Sequence, residues 1–266
     1  MAEYTLAVTA PEIRRYRMMA QRARAEEAEL WSGSGIAPGA VVADVGCGPA
    51  AVSVQIADVV GPDGRVIGVE PDEGARAAAQ QLIGEAGVGN VEVRPGTATD
   101  TGIPPASVDV VMLRHVLAHN QPREQEIVDH LAGLVRPGGS VYLVDADGTA
   151  LRTLGEDRVL TELYDRYVEL HRRRGNDLQV GLRLARLLER AGLDVRTHEG
   201  RYAIVSLPPG LRSPAWAARE AMVAEGVASQ DDVRRWEDAL TRADAAPDRP
   251  TLFLPSFVAV GVSRTG

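Results

Sequence analysis

The sequence predicts an α/β fold: a doubly wound, mostly parallel sheet of seven strands with an antiparallel last strand and helical lid insertions. Three observations predict it. Short apolar strands alternate with helical segments from Val41 to Asp145. A glycine turn, Gly46-Cys47-Gly48, closes the first strand, where the backbone must pass close under a ligand. Val108–Leu113 is an almost continuous apolar run, as in a parallel strand buried on both faces.

Each element follows from local signals. Pro11 to Trp31 reads as a helix, with Pro tolerated in its first turn and Gly33-Ser34-Gly35 ending it. Val41–Val45 is the first strand and Ala50–Val60 the next helix, stopped by Gly61-Pro62-Asp63-Gly64. Arg65–Val69 is a strand, Asp72–Glu85 an Ala-rich helix closed near Gly87, and Val91–Arg94 a short strand. After Val108–Leu113 come a helix over Arg123–Val135, the turn Arg136-Pro137-Gly138-Gly139 and a strand over Val141–Asp145. The later part reads as helices over Thr153–Arg174, Leu178–Ala191, Ser213–Glu225 and Asp231–Ala243. Strands over Val195–Leu207 and Leu252–Val262 would form an antiparallel pair at one edge of the sheet. No linker is marked, so residues 1–34 read as an N-terminal lid helix and residues 35–266 as one domain. Lid elements fall at about residues 150–176 and 208–250.

Bulk properties narrow the class. With 266 residues the chain can bury one large α/β core. Aromatic residues make up 4% of it, so the core relies on Val, Leu, Ile and Ala. A net charge of −8 argues against nucleic acid as the main partner. No run approaches the ~20 apolar residues of a membrane span, and the N-terminus lacks the pattern of a signal peptide. One cysteine, Cys47, fits a cytoplasmic setting. All 29 basic residues are Arg, which excludes a lysine Schiff base or lysine general base and matches a GC-rich bacterial genome. An exposed apolar N-terminal helix would favour a homodimer.

The turn admits two cofactors when read alone. Gly46-Cys47-Gly48-Pro49-Ala50-Ala51 matches the dinucleotide pattern G-x-G-x-x-A, and Glu70 ends the second strand where a ribose-binding acid belongs. Against a NAD-dependent oxidoreductase, Asp44 sets a carboxylate where a pyrophosphate would lie, and Pro49 disturbs the helix start that a pyrophosphate uses. An acid at that place suits a positive amino group.

The series of segments resembles the class I S-adenosylmethionine-dependent methyltransferases. Asp44-Val45-Gly46-Cys47-Gly48 resembles their first motif and Val69-Glu70-Pro71-Asp72 their second-strand acid. Gly96-Thr97-Ala98-Thr99-Asp100 through Pro104, then Ser107-Val108-Asp109-Val110-Val111, resembles their third-to-fourth-strand segment. Leu134-Val135-Arg136-Pro137-Gly138-Gly139 resembles the turn before their fifth strand. The likeness covers roughly Gly35 to Asp147 and is greatest to the ubiquinone/menaquinone-type and bacterial natural-product small-molecule enzymes. It implies a Rossmann-like methyltransferase fold with S-adenosyl-L-methionine as cofactor. It also implies that Asp44 and the Gly46, Cys47 and Gly48 backbone face the methionine part, and that Glu70 takes the ribose hydroxyls. Pro71 would pack beside the adenine, and Thr97 and Ala98 would lie at its edge. The family often has Asp where Thr97 stands. Arg114 would lie under the methionine end, through its carbonyl or its guanidinium.

The acceptor side is less defined. His115 and His119 follow the fourth strand, at the carboxyl edge where α/β ligands bind, and are the candidate catalytic bases. The alternative is that one packs under the cofactor and the other caps a helix. No third ligand accompanies the pair, so no metal is expected. Asp145 and Asp147 could orient an acceptor or form a plain turn. Tyr164, Tyr167 and His171 share one helical face, as core or as pocket wall. Arg14, Arg15 and Arg17 read as a solvated face. The leading function is methylation of a small molecule at O, N or C in bacterial secondary metabolism. A macromolecule-directed methyltransferase is an alternative. The Asn-Pro-Pro-aromatic motif of nucleic-acid amine methylation is replaced by Leu113-Arg114-His115-Val116.

Overall fold

The most apolar strands take the middle of the sheet. In the computed structural model, which describes residues 9–154, 158–206, 208–247 and 249–265, β1 (Val41–Val45) lies parallel between β2 (Arg65–Val69) and β4 (Val108–Arg114). β3 (Val91–Arg94) continues one side beyond β2, and β5 (Val135–Ala146) the other beyond β4. β8 (Thr251–Val262) then runs antiparallel to β5, and β7 (Asp194–Ser206) pairs antiparallel with β8. The doubly wound sheet with its antiparallel last strand is present. Its order reverses between β2–β1 and β1–β4, which opens a crevice at the carboxyl ends of β1 and β4.

Three departures from the expected elements have physical causes. Among the described residues the sheet has eight strands rather than seven, because Arg152–Leu154 forms β6, where a helix was expected from Thr153. β8 outruns β5, whose pairing stops at Ala146 opposite Ser256. β6 then pairs with Thr251–Phe253 and supplies hydrogen bonds to that stretch. The helix itself, α6, covers Arg158–Arg173. Second, β5 already begins at Val135. The expected turn over Arg136–Gly139 is an irregular strand start, with Gly138 N–H donating to Ser263 O and Ser263 N–H to Gly139 O. Third, the N-terminal helix breaks into α1 (Ala10–Glu26) and α2 (Ala28–Gly33) at Glu27. There the Glu27 carboxylate accepts from Arg114 Nη1 at 2.6 Å and Nη2 at 3.0 Å, from Tyr142 Oη at 2.8 Å and from Trp31 Nε1 at 3.3 Å.

Helices cover both faces. α2 and α3 (Ala51–Val60) bury Trp31 and Ile56 against Val42, Met112 and Tyr142. On the opposite face, α5 (Glu124–Leu134) and α7 (Leu184–Arg190) bury Leu131 and Leu184 against Val111 and Leu143. α4 (Glu73–Ala86) is capped by Asp72, whose side chain accepts from Ala75 N–H. The lid has its own core. α6, α8 (Pro214–Ala217), α9 (Arg219–Ala224) and α10 (Gln230–Ala245) gather round Trp236, Leu163, Tyr164 and Met222. The helix expected over Ser213–Glu225 is thus two short ones. α1 packs on α3 and buries Ala20 and Ala23 within the chain, while Met19 stays exposed on it. Parts of the expected elements (residues 1–8, 155–157, Leu207, Asp248 and Gly266) lie outside the described residues. Among the described residues, no helix is long and apolar enough to cross a membrane.

Removing the Glu27 side chain strands the buried Arg114 charge. Glu27→Ala should cost about 3–5 kcal/mol in chemical denaturation, and Glu27→Ala with Arg114→Met should recover part of that loss. Equal stability of the single variant and the unaltered chain would contradict this role.

Candidate active site

The crevice is built first by the glycine turn. Gly46 has φ +69°, and a Cβ placed on it would lie 2.6 Å from Val116 Cγ2, so only glycine fits. The turn uses its own amides. Gly46 N–H and Cys47 N–H both point at Val69 O, at 2.8 and 3.2 Å. Gly48 N–H donates to Glu70 Oε2 at 2.9 Å. A pyrophosphate would therefore find these amides already engaged. Cys47 packs its thiol toward β2, since a Cβ on Gly68 would lie 2.9 Å from Sγ. Burial pushes that thiol's pKa up and keeps it neutral.

Two buried carboxylates flank the turn. Asp44, on β1, accepts from Ser53 Oγ at 2.6 Å through Oδ2. Among the described residues, nothing donates to its other oxygen. Burial raises Asp44 to about 6, against the pull of the Ser53 hydroxyl and the Arg114 charge. A cationic group beside the open oxygen would offset that desolvation. Glu70 is also buried. Its Oε1 accepts from Asp72 N–H at 3.0 Å and its Oε2 from Gly48, which leaves one lone pair on each oxygen for a hydroxyl donor. Burial raises its pKa too, with the two amides opposing.

The remaining expected cofactor residues are placed as follows. Pro71 is exposed at the end of β2, where Arg76 Nη1 donates to its carbonyl at 2.6 Å. Thr97 is exposed beyond β3, in a turn closed with Asp100, and Asp100 N–H already donates to its Oγ1 at 3.1 Å. Ala98 packs against the sheet core. Arg114 is the last residue of β4 rather than the one after it, and its guanidinium is committed to Glu27. Burial works to raise the Glu27 pKa, but the Arg114 charge and the hydrogen bonds hold it below the usual carboxylate range. A ligand at this point would meet the Arg114 main chain.

Beyond the turn, after β4, stand the two candidate bases. His115 adopts φ +55° and donates its N–H to Val144 O at 2.8 Å. Its ring is desolvated by surrounding protein, yet 37% of the side chain is reached by solvent. His115 Nδ1 lies 4.0 Å from Asp145 Oδ1, too far for a hydrogen bond. Burial lowers His115 to about 3 and raises Asp145 to about 7, so both neutral forms are favoured. Asp145 accepts from Ala146 N–H at 2.9 Å and Ala118 N–H at 3.2 Å. Asp147 instead closes its own turn, accepting from Thr149. His119 ends the 3₁₀ turn Leu117–His119 and packs its ring on His171 of α6, and burial lowers it to about 4. The two candidate bases thus face different neighbours.

Sequence reasoning did not find Ser53, Glu27, Tyr142 or Asn176. Ser53 carried a usable signal, being the one polar side chain buried in α3. Arg15 is not on a solvated face: it is buried and paired with Glu12 at 2.5 Å. Arg17 pairs with Glu85 at the surface.

Comparison with known proteins finds likenesses to methyltransferases in sequence and in fold. A family described as "Methyltransferase domain" matches residues 42–139, the span from β1 to the start of β5. The nocamycin O-methyltransferase of Saccharothrix syringae is 37% identical over 106 residues, covering 40% of this chain and 38% of that protein. A demethylmenaquinone methyltransferase of Listeria welshimeri is 31% identical over 107 residues, covering 40% of this chain and 45% of that protein. The chain therefore spans less than half the length of either relative. The solved structure of a SAM dependent methyltransferase from Aquifex aeolicus superposes with a TM-score of 0.55 at 14% identity. It covers 96% of this chain and 98% of that one.

The Asp145 carboxyl gives a pH signature. Folded, it keeps its proton up to about pH 7, whereas its ordinary value is 3.8. The folded state binds the extra proton between those values, so this group's contribution to stability falls as pH rises through them. Asn carries no such proton. The stability of Asp145→Asn relative to the unaltered chain should increase between pH 5 and pH 8, by on the order of 1–3 kcal/mol in urea denaturation. An equal difference at both pH values would contradict the burial of a charge there.

Proposed function

We propose that this class I S-adenosylmethionine-dependent methyltransferase methylates a small molecule in bacterial secondary metabolism. The observation that carries the cofactor reading is the turn itself. Its amides are engaged within the chain, and the groups left to a ligand are carboxylate oxygens on Asp44 and Glu70. Such a site suits an amino group and ribose hydroxyls, not a pyrophosphate. S-adenosylmethionine, when bound, supplies an electrophilic methyl group on a sulfonium.

The chain's residues do the rest. Asp44 holds the ammonium and Glu70 the ribose. The Gly46–Gly48 backbone lets the ligand approach closely, and the acceptor sits beyond the turn, beside His115 and His119. His115 and His119 are neutral at physiological pH and can accept a hydrogen bond from an acceptor group, although burial makes them weak bases. Support for a small acceptor comes from the acidic balance, with a net charge of −8, and from relatives that carry nocamycin and demethylmenaquinone in their names. The buried free Cys47 fits a cytoplasmic setting.

Calorimetric titration with S-adenosylhomocysteine tests the placement. Asp44→Ala and Glu70→Ala should each weaken binding by ~1–3 kcal/mol, the cost of removing a charged hydrogen-bond partner. Unchanged affinity in both, or tighter binding of NADH, would sink it.

A further inference from the structure

The sheet ends on a long strand with a neighbour on one side. β7 pairs antiparallel with β8 from Asp194 to Ser206, while β5 and β6 take the other side of β8. Among the described residues β7 has no second strand partner, so its outer N–H and C=O groups are open to one. A bulge between Val195 and Thr197 bends the edge at one end, and the run from Thr197 to Ser206 is regular. Proline and short length are common shields for an edge, and this run has neither.

The two faces of the edge differ. Glu199 and Arg201 lie on one face, opposite Val258 and Ser256 of β8, with Arg201 Nε 2.6 Å from Glu199 Oε1. On that face Arg201 also donates to Glu26 O of α1. Tyr202 and Ile204 lie on the other face, opposite Pro255 and Phe253. Among the described residues they are the most exposed large apolar side chains, at 71% and 57%. The Tyr202 ring centroid is 5.9 Å from that of Phe253. Leu188 and Leu193 cover the Gly261–Val195 end of this face, and the Tyr202–Ile204 end is bare.

We propose that a second copy of the chain occupies this edge, its β7 adding antiparallel about a two-fold axis at Gly200 and continuing the sheet. Charge selects the register. Residues that face each other across such a pair share a face, so the axis falls on a residue. With the axis at Gly200, Glu199 faces the partner's Arg201, and Arg201 faces the partner's Glu199. An axis at Glu199 or at Arg201 would set like charges against each other. An axis at His198 or at Tyr202 would leave both charges facing uncharged side chains. Opposite charges across two strands stabilise the pair, and like charges destabilise it. The Gly200 register also sets Tyr202 against the partner's His198, an aromatic cross-strand pair that covers the bare end of each chain.

Sedimentation equilibrium of the full chain tests the proposal. The unaltered chain should have twice the chain mass at micromolar concentration. Arg201→Glu sets acids against acids at both pairs, and Glu199→Arg sets bases against bases. Each should raise the dissociation constant about tenfold. Mixing the two variants sets an acidic strand against a basic one and should restore dimers containing one of each. Tyr202→Ala, on the other face and away from Glu26, should weaken the dimer about fivefold. Far-ultraviolet circular dichroism should match the unaltered chain throughout. An unaltered chain that is monomeric across the micromolar range would overturn the proposal. So would a dimer that both charge variants leave intact, or natively folded charge variants that do not recombine on mixing. If a charge variant loses its native dichroism, Tyr202→Ala decides, and full dimer affinity in it would overturn the proposal.

Discussion

The Glu27 carboxylate is the contact on which the arrangement of the crevice depends. It lies between the N-terminal helices and the sheet and collects two hydrogen bonds from Arg114, one from Tyr142 and one from Trp31. Three elements meet there: α2 through Trp31, β4 through Arg114 and β5 through Tyr142. The helix must break to deliver the carboxylate, and the break sets the course of α1 across α3. The same pairing neutralises Arg114 next to the crevice. An unpaired guanidinium there would compete for Asp44, which feels its charge already.

Desolvation then sets the chemistry of both halves of the site. Around the turn, burial raises Asp44 and Glu70, so each carboxylate stands to gain from a donor brought in by a ligand. Beyond the turn, burial lowers His115, His119 and His171, so the imidazoles stay neutral. Acids that gain from a cation and a hydroxyl pair stand beside imidazoles held neutral. One physical cause produces the two opposite tendencies, because burial disfavours whichever form is charged.

Much of the parallel half was legible in the sequence. β1, β2 and β3 begin and end where the sequence places them, since local composition and flanking turns bound these strands. Asp44 and Glu70 were legible because a polar residue at the end of an apolar strand stands out. The illegible features are set by distant partners. Glu27 sits in a charged helical stretch like any surface acid, and its burial follows from Arg114 and Tyr142, 87 and 115 residues away. β6 exists because β8 is longer than β5, a fact about pairing rather than about Arg152-Thr153-Leu154. His171 shares a helical face with Tyr164 and Tyr167, which reads equally as core or as pocket wall until the fold brings His119 to it.

The central claim is that Asp44 and Glu70, not the turn amides, hold the ligand. A crystal structure of the chain with S-adenosylhomocysteine tests it most directly. The account predicts the amino group at the open oxygen of Asp44 and the ribose hydroxyls on Glu70, with Gly46, Cys47 and Gly48 still donating to Val69 and Glu70. A ligand bound away from both carboxylates, or a turn whose amides swing outward to carry it, would contradict the account.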